Sequence, residues 1–171
     1  MKIADDGWRE DHRQFFRNNY RKHPAFGQVM PQVESYLAVS YETVGEAVAA
    51  SMRLAFDWFG ITTRVLRQSE LDYDRTLARG SLIMELIRVS GADTYLSGTG
   101  AKAYLDESLF GNGLSLEYQD FEHPVYGQYG APEFVAGLSC LDVLFNLGAD
   151  GARHLLAADI ALQGSNSLPA A

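Results

Sequence analysis

Apolar residues recur at helical spacing along much of this chain, while strand-like runs are short. Trp8, His12, Phe15, Phe16 and Tyr20 share a broad face that predicts a helix over residues 8–20, with arginines on the opposite side. Pro24 interrupts, and residues 26–39 predict a second helix in which Pro31 is a break or a new start. Residues 43–59 carry the clearest helical pattern. Thr43 and Glu46 have capping-box spacing, Val44, Val48, Leu54, Ala55 and Trp58 supply the stripe, and Gly60 is placed to end it. The next helix has its body at 77–89, opened within 72–74 and stopped by Gly91. Residues 138–145 predict a short helix closed by Gly148, and 150–162 a last one. Residues 164–171 read as a disordered tail.

Three segments are strand candidates: 62–66, the trio Thr94, Tyr95 and Leu96, and 115–118. Helix and strand in alternation predict an α/β fold, with a small, mostly parallel sheet covered by helices in one domain over 1–163. Three strands make a thin sheet for 171 residues.

Ser97, Gly98, Thr99 and Gly100 turn the chain from the second strand candidate into a helix start at 101–105. Such a turn leaves backbone N–H groups free at the carboxyl edge of a sheet, where anions bind in α/β proteins, and Lys102 adds positive charge. The spacing is neither a phosphate loop nor a dinucleotide fingerprint. Tight-turn geometry alone also uses glycine, so both readings stand.

Composition removes several classes. The chain is 47% hydrophobic and 21% charged, enough for a globular core. No apolar run approaches the roughly 20 residues a membrane helix needs. The first residues lack the apolar centre of a secretory signal, and the single Cys140 allows no intrachain disulfide. These features predict a cytoplasmic protein without a membrane partner. A net charge of −8 argues against nucleic acid, which needs a basic face. A small anionic metabolite in a local positive pocket remains open.

Each chemical constellation has a plain structural reading beside it. His123, with Asp120 and Glu122 before it and Gln128 beyond, is the best catalytic cluster, because an imidazole beside carboxylates can be tuned for proton transfer near neutral pH. A loop histidine bonded to backbone before Pro124 accounts for it equally simply. Ser139, Asp142 and Asn146 share one helix face; Ser139 and Asp142 read as a capping box or as ligand contacts. Tyr95 and Tyr104 flank the glycine turn, as core rings or as stacking platforms for a base or sugar. His12, His23 and His154 have no zinc spacing, so no metal site is expected; a magnesium ion on Asp106 or Asp120 has no support. Cys140 is expected to be buried and inert in its apolar run, and the basic first helix to be a solvated face.

An ordered set of segments carries a family resemblance. They are Gly7-Trp8-Arg9, residues 20–26 (Tyr-Arg-Lys-His-Pro-Ala-Phe), Phe59-Gly60-Ile61-Thr62-Thr63 and Ser69-Glu70-Leu71. After these come residues 91–98 (Gly-Ala-Asp-Thr-Tyr-Leu-Ser-Gly), Ala103-Tyr104-Leu105, residues 123–128 (His-Pro-Val-Tyr-Gly-Gln), Glu133-Phe134-Val135 and residues 138–148. Over about residues 7–150 the chain resembles the WbqC-like protein family. The resemblance implies a role in bacterial O-antigen, other surface-polysaccharide, modified-sugar or natural-product biosynthesis. It further implies a group transfer on a nucleotide-linked sugar or similar phosphorylated metabolite. His123 would then be the general acid or base, assisted by Asp120. Ser97, Gly98, Thr99, Gly100, Lys102, Tyr104, Gln128, Ser139 and Asp142 would bind substrate. The cofactor stays unspecified.

Family members open with a strand and a His-Gln-Pro motif that this sequence lacks. The expectation is therefore an N-terminally truncated member or one half of a split protein. On that view the chain could also be a non-catalytic assembly subunit completed by a partner chain or a second copy, or an inactive remnant.

Overall fold

The computed structural model describes residues 1–103 and 105–166, with side chains described as far as 158. Two compact units emerge: residues 1–62 together with the chain from 123 onward, and residues 63–122.

The first unit is helical. It contains α1 (Gly7–Tyr20), α2 (Phe26–Ala38), α3 (Val44–Phe59) and, after the second unit, α5 (Cys140–Asn166). The capping box predicted for α3 is present. Thr43 Oγ1 accepts from the Glu46 backbone N–H (3.2 Å), and Glu46 Oε2 accepts from the Thr43 N–H (3.3 Å). Gly60 ends α3 in the left-handed region, at φ 68°. Pro31 neither breaks nor restarts α2, which runs through it.

The core of this unit collects Val29 and Leu37 of α2 with Leu144 and Phe145 of α5, all fully buried. The Phe145 ring stacks on Tyr20 (centroids 4.6 Å apart) and on Phe26 (5.8 Å). Trp8, Phe16 and Tyr20 of α1 pack on the same cluster, as their spacing predicts, while Phe15 points away at 55% exposure. Arg13, paired to Glu10, and Arg17, paired to Glu34, lie on the solvated side of α1, whereas the Arg9 side chain is only 14% exposed and sits over the Trp8 ring. Such surface pairs contribute about 0–1 kcal/mol each. Gly148 interrupts α5 with φ 71° and ψ 173°, so the two helices expected at 138–145 and 150–162 form as two pieces of one element. Helix continues through 166, and the rest of the expected tail lies outside the described residues.

The second unit contains α4 (Arg79–Ser90), β1 (Thr94–Ser97) and β2 (Ser115–Tyr118). The strands pair in parallel, with Thr94 opposite Ser115 and Ser97 opposite Tyr118. The α/β class and the parallel sheet are as expected. Gly91 stops α4 at φ 72°, as predicted. Asp74 does not open that helix. It accepts from the Thr76 N–H (2.9 Å) and Oγ1 (2.7 Å), making a separate turn before α4. The crossover between the strands uses the short 3-10 turns Thr99–Ala103 and Glu107–Leu109. Tyr95 stacks on Phe110 with the ring planes 10° apart, which gives it a packing role.

The third strand does not form. Residues 62–66 are solvent-exposed and lie outside any helix or strand. β-branched residues favour extended backbone, but a strand also needs a ladder partner for its N–H and C=O groups, and this segment has none.

Candidate functional site

Asp142 is the centre of the best-defined polar cluster, and all of that cluster lies in the first unit. Ser139 precedes α5 and caps it, its Oγ accepting from the Leu141 N–H (3.3 Å). Asp142, three residues later, does not complete a capping box. Its Oδ2 accepts from the Tyr126 hydroxyl (2.7 Å), from Asn146 Nδ2 (3.2 Å) and from Gln128 Nε2 (3.3 Å). Asp142 is only 5% exposed and has no ion pair among the described residues. A buried carboxylate is costly unless donors surround it. Here three side-chain donors and the first turn of α5 supply the compensation.

The cluster fastens the irregular segment that enters α5. Asn146 Oδ1 accepts from the Tyr129 N–H (2.7 Å), while its Nδ2 donates to the Asp142 carbonyl (2.8 Å). Gln128 clamps Val135 like a strand partner, donating to its carbonyl (2.9 Å) and accepting from its N–H (2.8 Å). His23 lies against Tyr20 (4.7 Å) and Tyr129 (5.2 Å). Burial, offset by Gln128 and reinforced by Asp142, pushes the Tyr126 phenol up to about 12. Burial and then Asp142 raise Tyr20 as well. Through these hydrogen bonds the cluster positions the chain that enters α5.

The sequence-predicted residues fall into separate groups. Gln128 and Asp142 are in hydrogen-bond contact, and Ser139 is at the entrance of the same helix. His123 is exposed on irregular backbone, three residues before the anchored Tyr126. Asp120 is exposed and belongs to the second unit.

The glycine turn also lies in the second unit. Ser97 is buried at 4% exposure, while Gly98, Thr99, Gly100 and Lys102 are exposed. The expected helix at 101–105 is the 3-10 turn Thr99–Ala103. The Lys102 ammonium sits 4.7 Å from the Tyr118 ring centroid. The Tyr118 hydroxyl donates to Glu107 (2.7 Å), and that bond foremost raises its pKa to about 12. Neither Gly98 nor Gly100 has left-handed backbone, and a Cβ at either would meet nothing within 4 Å. Tyr104 lies outside the described residues.

Cys140 corrects the sequence reading. It is exposed, because it is the first residue of α5 and precedes the turn in which Leu144 and Phe145 enter the core. It borders a cavity that four separate helices build, which periodicity in one segment cannot reveal. Among the described residues no group of three or more His, Cys, Asp or Glu is placed to hold a metal.

The model of the WbqC-like protein family matches residues 1–154. The chain belongs to the WbqC-like protein family. This WbqC-like chain is 25% identical over 156 residues to an uncharacterised protein of Mycobacterium tuberculosis, Rv1507c. The alignment covers 90% of the chain and 66% of that relative, so the chain spans just under two thirds of the curated relative's length. No solved structure matches the chain. Three segments behind the WbqC-like resemblance, 20–26, 123–128 and 138–148, meet at the start of α5, where Tyr20 stacks on Phe145 and Tyr126, Gln128 and Asn146 bond to Asp142.

Proposed function

We propose that this WbqC-like chain is a cytoplasmic enzyme, or a component of one, in bacterial surface-polysaccharide (O-antigen), modified-sugar or natural-product biosynthesis. It acts in a group transfer on a nucleotide-linked sugar or similar phosphorylated metabolite. The turn Ser97–Gly98–Thr99–Gly100 with Lys102 holds the anionic part, and His123, assisted by Asp120, is the general acid or base. Within the first unit, Gln128, Ser139 and Asp142 are the residues offered for substrate contact, and Tyr104 is a further candidate. Family membership supports the biosynthetic context. No helix among the described residues is long and apolar enough to cross a membrane, in keeping with a soluble substrate.

One observation carries the binding half of this reading. Gly98 and Gly100 are glycines that the backbone does not demand, standing in open space beside an exposed lysine. Glycine at such a place keeps backbone N–H groups open to a ligand. The catalytic half rests on the fastening of Tyr126 and Gln128, which fixes the chain just after His123.

Calorimetric titration with UDP-glucose, UDP and glucose tests the reading. Gly100→Ala and Lys102→Ala should leave the melting temperature unchanged and weaken both uridine nucleotides several-fold. His123→Ala should retain binding. Unchanged nucleotide affinity in Gly100→Ala and Lys102→Ala together would refute the anion role.

A second reading, a binding or assembly subunit completed by another chain, has an observation of its own. Parallel sheets are ordinarily buried on both faces and seldom stand as two strands. Here β1 and β2 form a sheet alone among the described residues, with Leu96 at 60% exposure. Light scattering across a hundredfold concentration range distinguishes the two: a monomer throughout counts against pairing with a second copy.

A further inference from the structure

In the second unit an aromatic ring lies under the cation of the glycine turn. Ser97, which starts the turn, is the register partner of Tyr118, the last residue of β2. Partners in register project from the same face of a sheet. That face is the covered one. Tyr95 and Ser97 of β1 and Leu116 and Tyr118 of β2 are buried or half-buried, whereas Thr94, Leu96, Ser115 and Glu117 are exposed. The end of β2 is also tied to the start of the turn, because the Gln119 N–H donates to the Ser97 carbonyl (2.7 Å). The 3-10 turn Thr99–Ala103 then brings Lys102 back over Tyr118, with Nζ 4.7 Å from the ring centroid. Lys102 is the only Lys or Arg between Arg88 and Arg153, in a stretch rich in Asp and Glu. Among the described residues it nevertheless makes no ion pair. Glu107 instead accepts from the Tyr118 hydroxyl (2.7 Å), which fixes the ring from its edge. That bond also enriches the ring in electron density, and an electron-rich face attracts a cation.

We propose that Tyr118 is a positioning residue for anion binding: its ring holds the Lys102 ammonium at the carboxyl edge of β1 and β2, with N–H donors left for a phosphate group of the ligand. This rests on the reading of the turn at 97–102 as the anion site, and it adds Tyr118, with Glu107 behind it, to that site. A free lysine side chain samples many rotamers and loses them when a ligand binds. A lysine already resting on a ring loses fewer, so the ring raises affinity without touching the ligand.

The chain has three lysines, Lys2, Lys22 and Lys102, so reductive methylation with isotope-labelled formaldehyde gives three lysine N-methyl NMR signals beside that of the N-terminus. Methyl groups over a ring face move upfield. The signal that disappears in Lys102→Ala should lie upfield of the other two lysines in wild type and in Tyr118→Phe, which keeps the ring. In Tyr118→Leu it should join them. UDP affinity is measured by calorimetry on unmodified protein. Tyr118→Leu should weaken UDP several-fold, approaching Lys102→Ala, while Tyr118→Phe stays within about twofold of wild type. Adding Tyr118→Leu to Lys102→Ala should cause no further loss, because Tyr118 acts through the lysine. If Tyr118→Leu fails to fold, Tyr118→Val, which suits a strand, replaces it. Weakened UDP binding in Lys102→Ala with wild-type affinity in Tyr118→Leu would overturn the positioning role and leave the anion site standing. Unchanged affinity in Lys102→Ala would overturn both. Additive losses in the double variant would overturn the positioning role, as would a wild-type Lys102 signal that is not upfield.

Discussion

Removing one oxygen tests whether the Asp142 cluster holds the first unit together. In Tyr126→Phe the ring stays in its T-shaped contact with Phe134, and the only loss is the hydroxyl that donates to Asp142 at 2.7 Å. Hydrogen bonds to charged acceptors contribute about 1.5–3 kcal/mol. Asn146 at 3.2 Å and Gln128 at 3.3 Å still face the carboxylate, so it is not orphaned. The lower part of that range applies, about 1.5–2 kcal/mol. For a chain of this size that lowers the melting temperature by roughly 3–8 °C. Both tryptophans, Trp8 and Trp58, belong to the first unit, so their fluorescence follows the unit that contains the change. The pH dependence has a definite sign. The Tyr126 pKa rises from 10.0 to about 12 in the fold, so its contribution is complete below pH 10 and disappears as the pH climbs through 12. The gap between wild type and Tyr126→Phe should therefore be constant from pH 7 to 9 and shrink from 10 to 12. A gap under about 0.5 kcal/mol at neutral pH would refute the reasoning, as would full additivity with Asp142→Asn in a double-mutant cycle.

Further substitutions probe other parts of the fold. Gly148→Ala forces a side chain into backbone that is essentially glycine-only and puts its Cβ 2.8 Å from Gln28 Oε1. It should cost at least about 1–3 kcal/mol in thermal or urea unfolding. Phe145→Ala removes a fully buried ring between Tyr20 and Phe26 and should cost about 3–5 kcal/mol in the same measurement. Thr43→Ala deletes the cap of α3 at a cost of about 1 kcal/mol, which Thr43→Ser should largely recover. Native protein should release one equivalent of thionitrobenzoate from Ellman's reagent without denaturant, because Cys140 is exposed; a silent native thiol would contradict its position.

The sequence disclosed what local rules decide. Thr43 and Glu46 announced the start of α3, and Gly60, Gly91 and Gly148 marked the places where helix must stop or turn. The parallel pair β1 and β2 was visible as two β-favouring runs. What stayed hidden depends on distant partners. Residues 62–66 have strand composition but no neighbouring strand. Ser139 and Asp142 have capping-box spacing, yet Asp142 turns inward because Tyr126 and Gln128, far away in sequence, offer better donors. Cys140 reads as core within its apolar run, and only the start point of α5 places it outside. The cavity needs side chains from four helices, so no single segment signals it.

The two turns of α5 before Gly148 face three neighbours at once. Cys140 and Leu141 look onto the cavity, Asp142 and Asn146 hold the incoming loop, and Leu144 and Phe145 fill the core. Length is therefore a stricter constraint here than residue identity. One residue inserted between Leu141 and Asp142 would rotate everything beyond it by about 100° relative to the start of the helix. The carboxylate would swing away from Tyr126 while the cavity wall stayed put. Replacements in this stretch can be absorbed one contact at a time, whereas an insertion or deletion breaks its register with all three neighbours together.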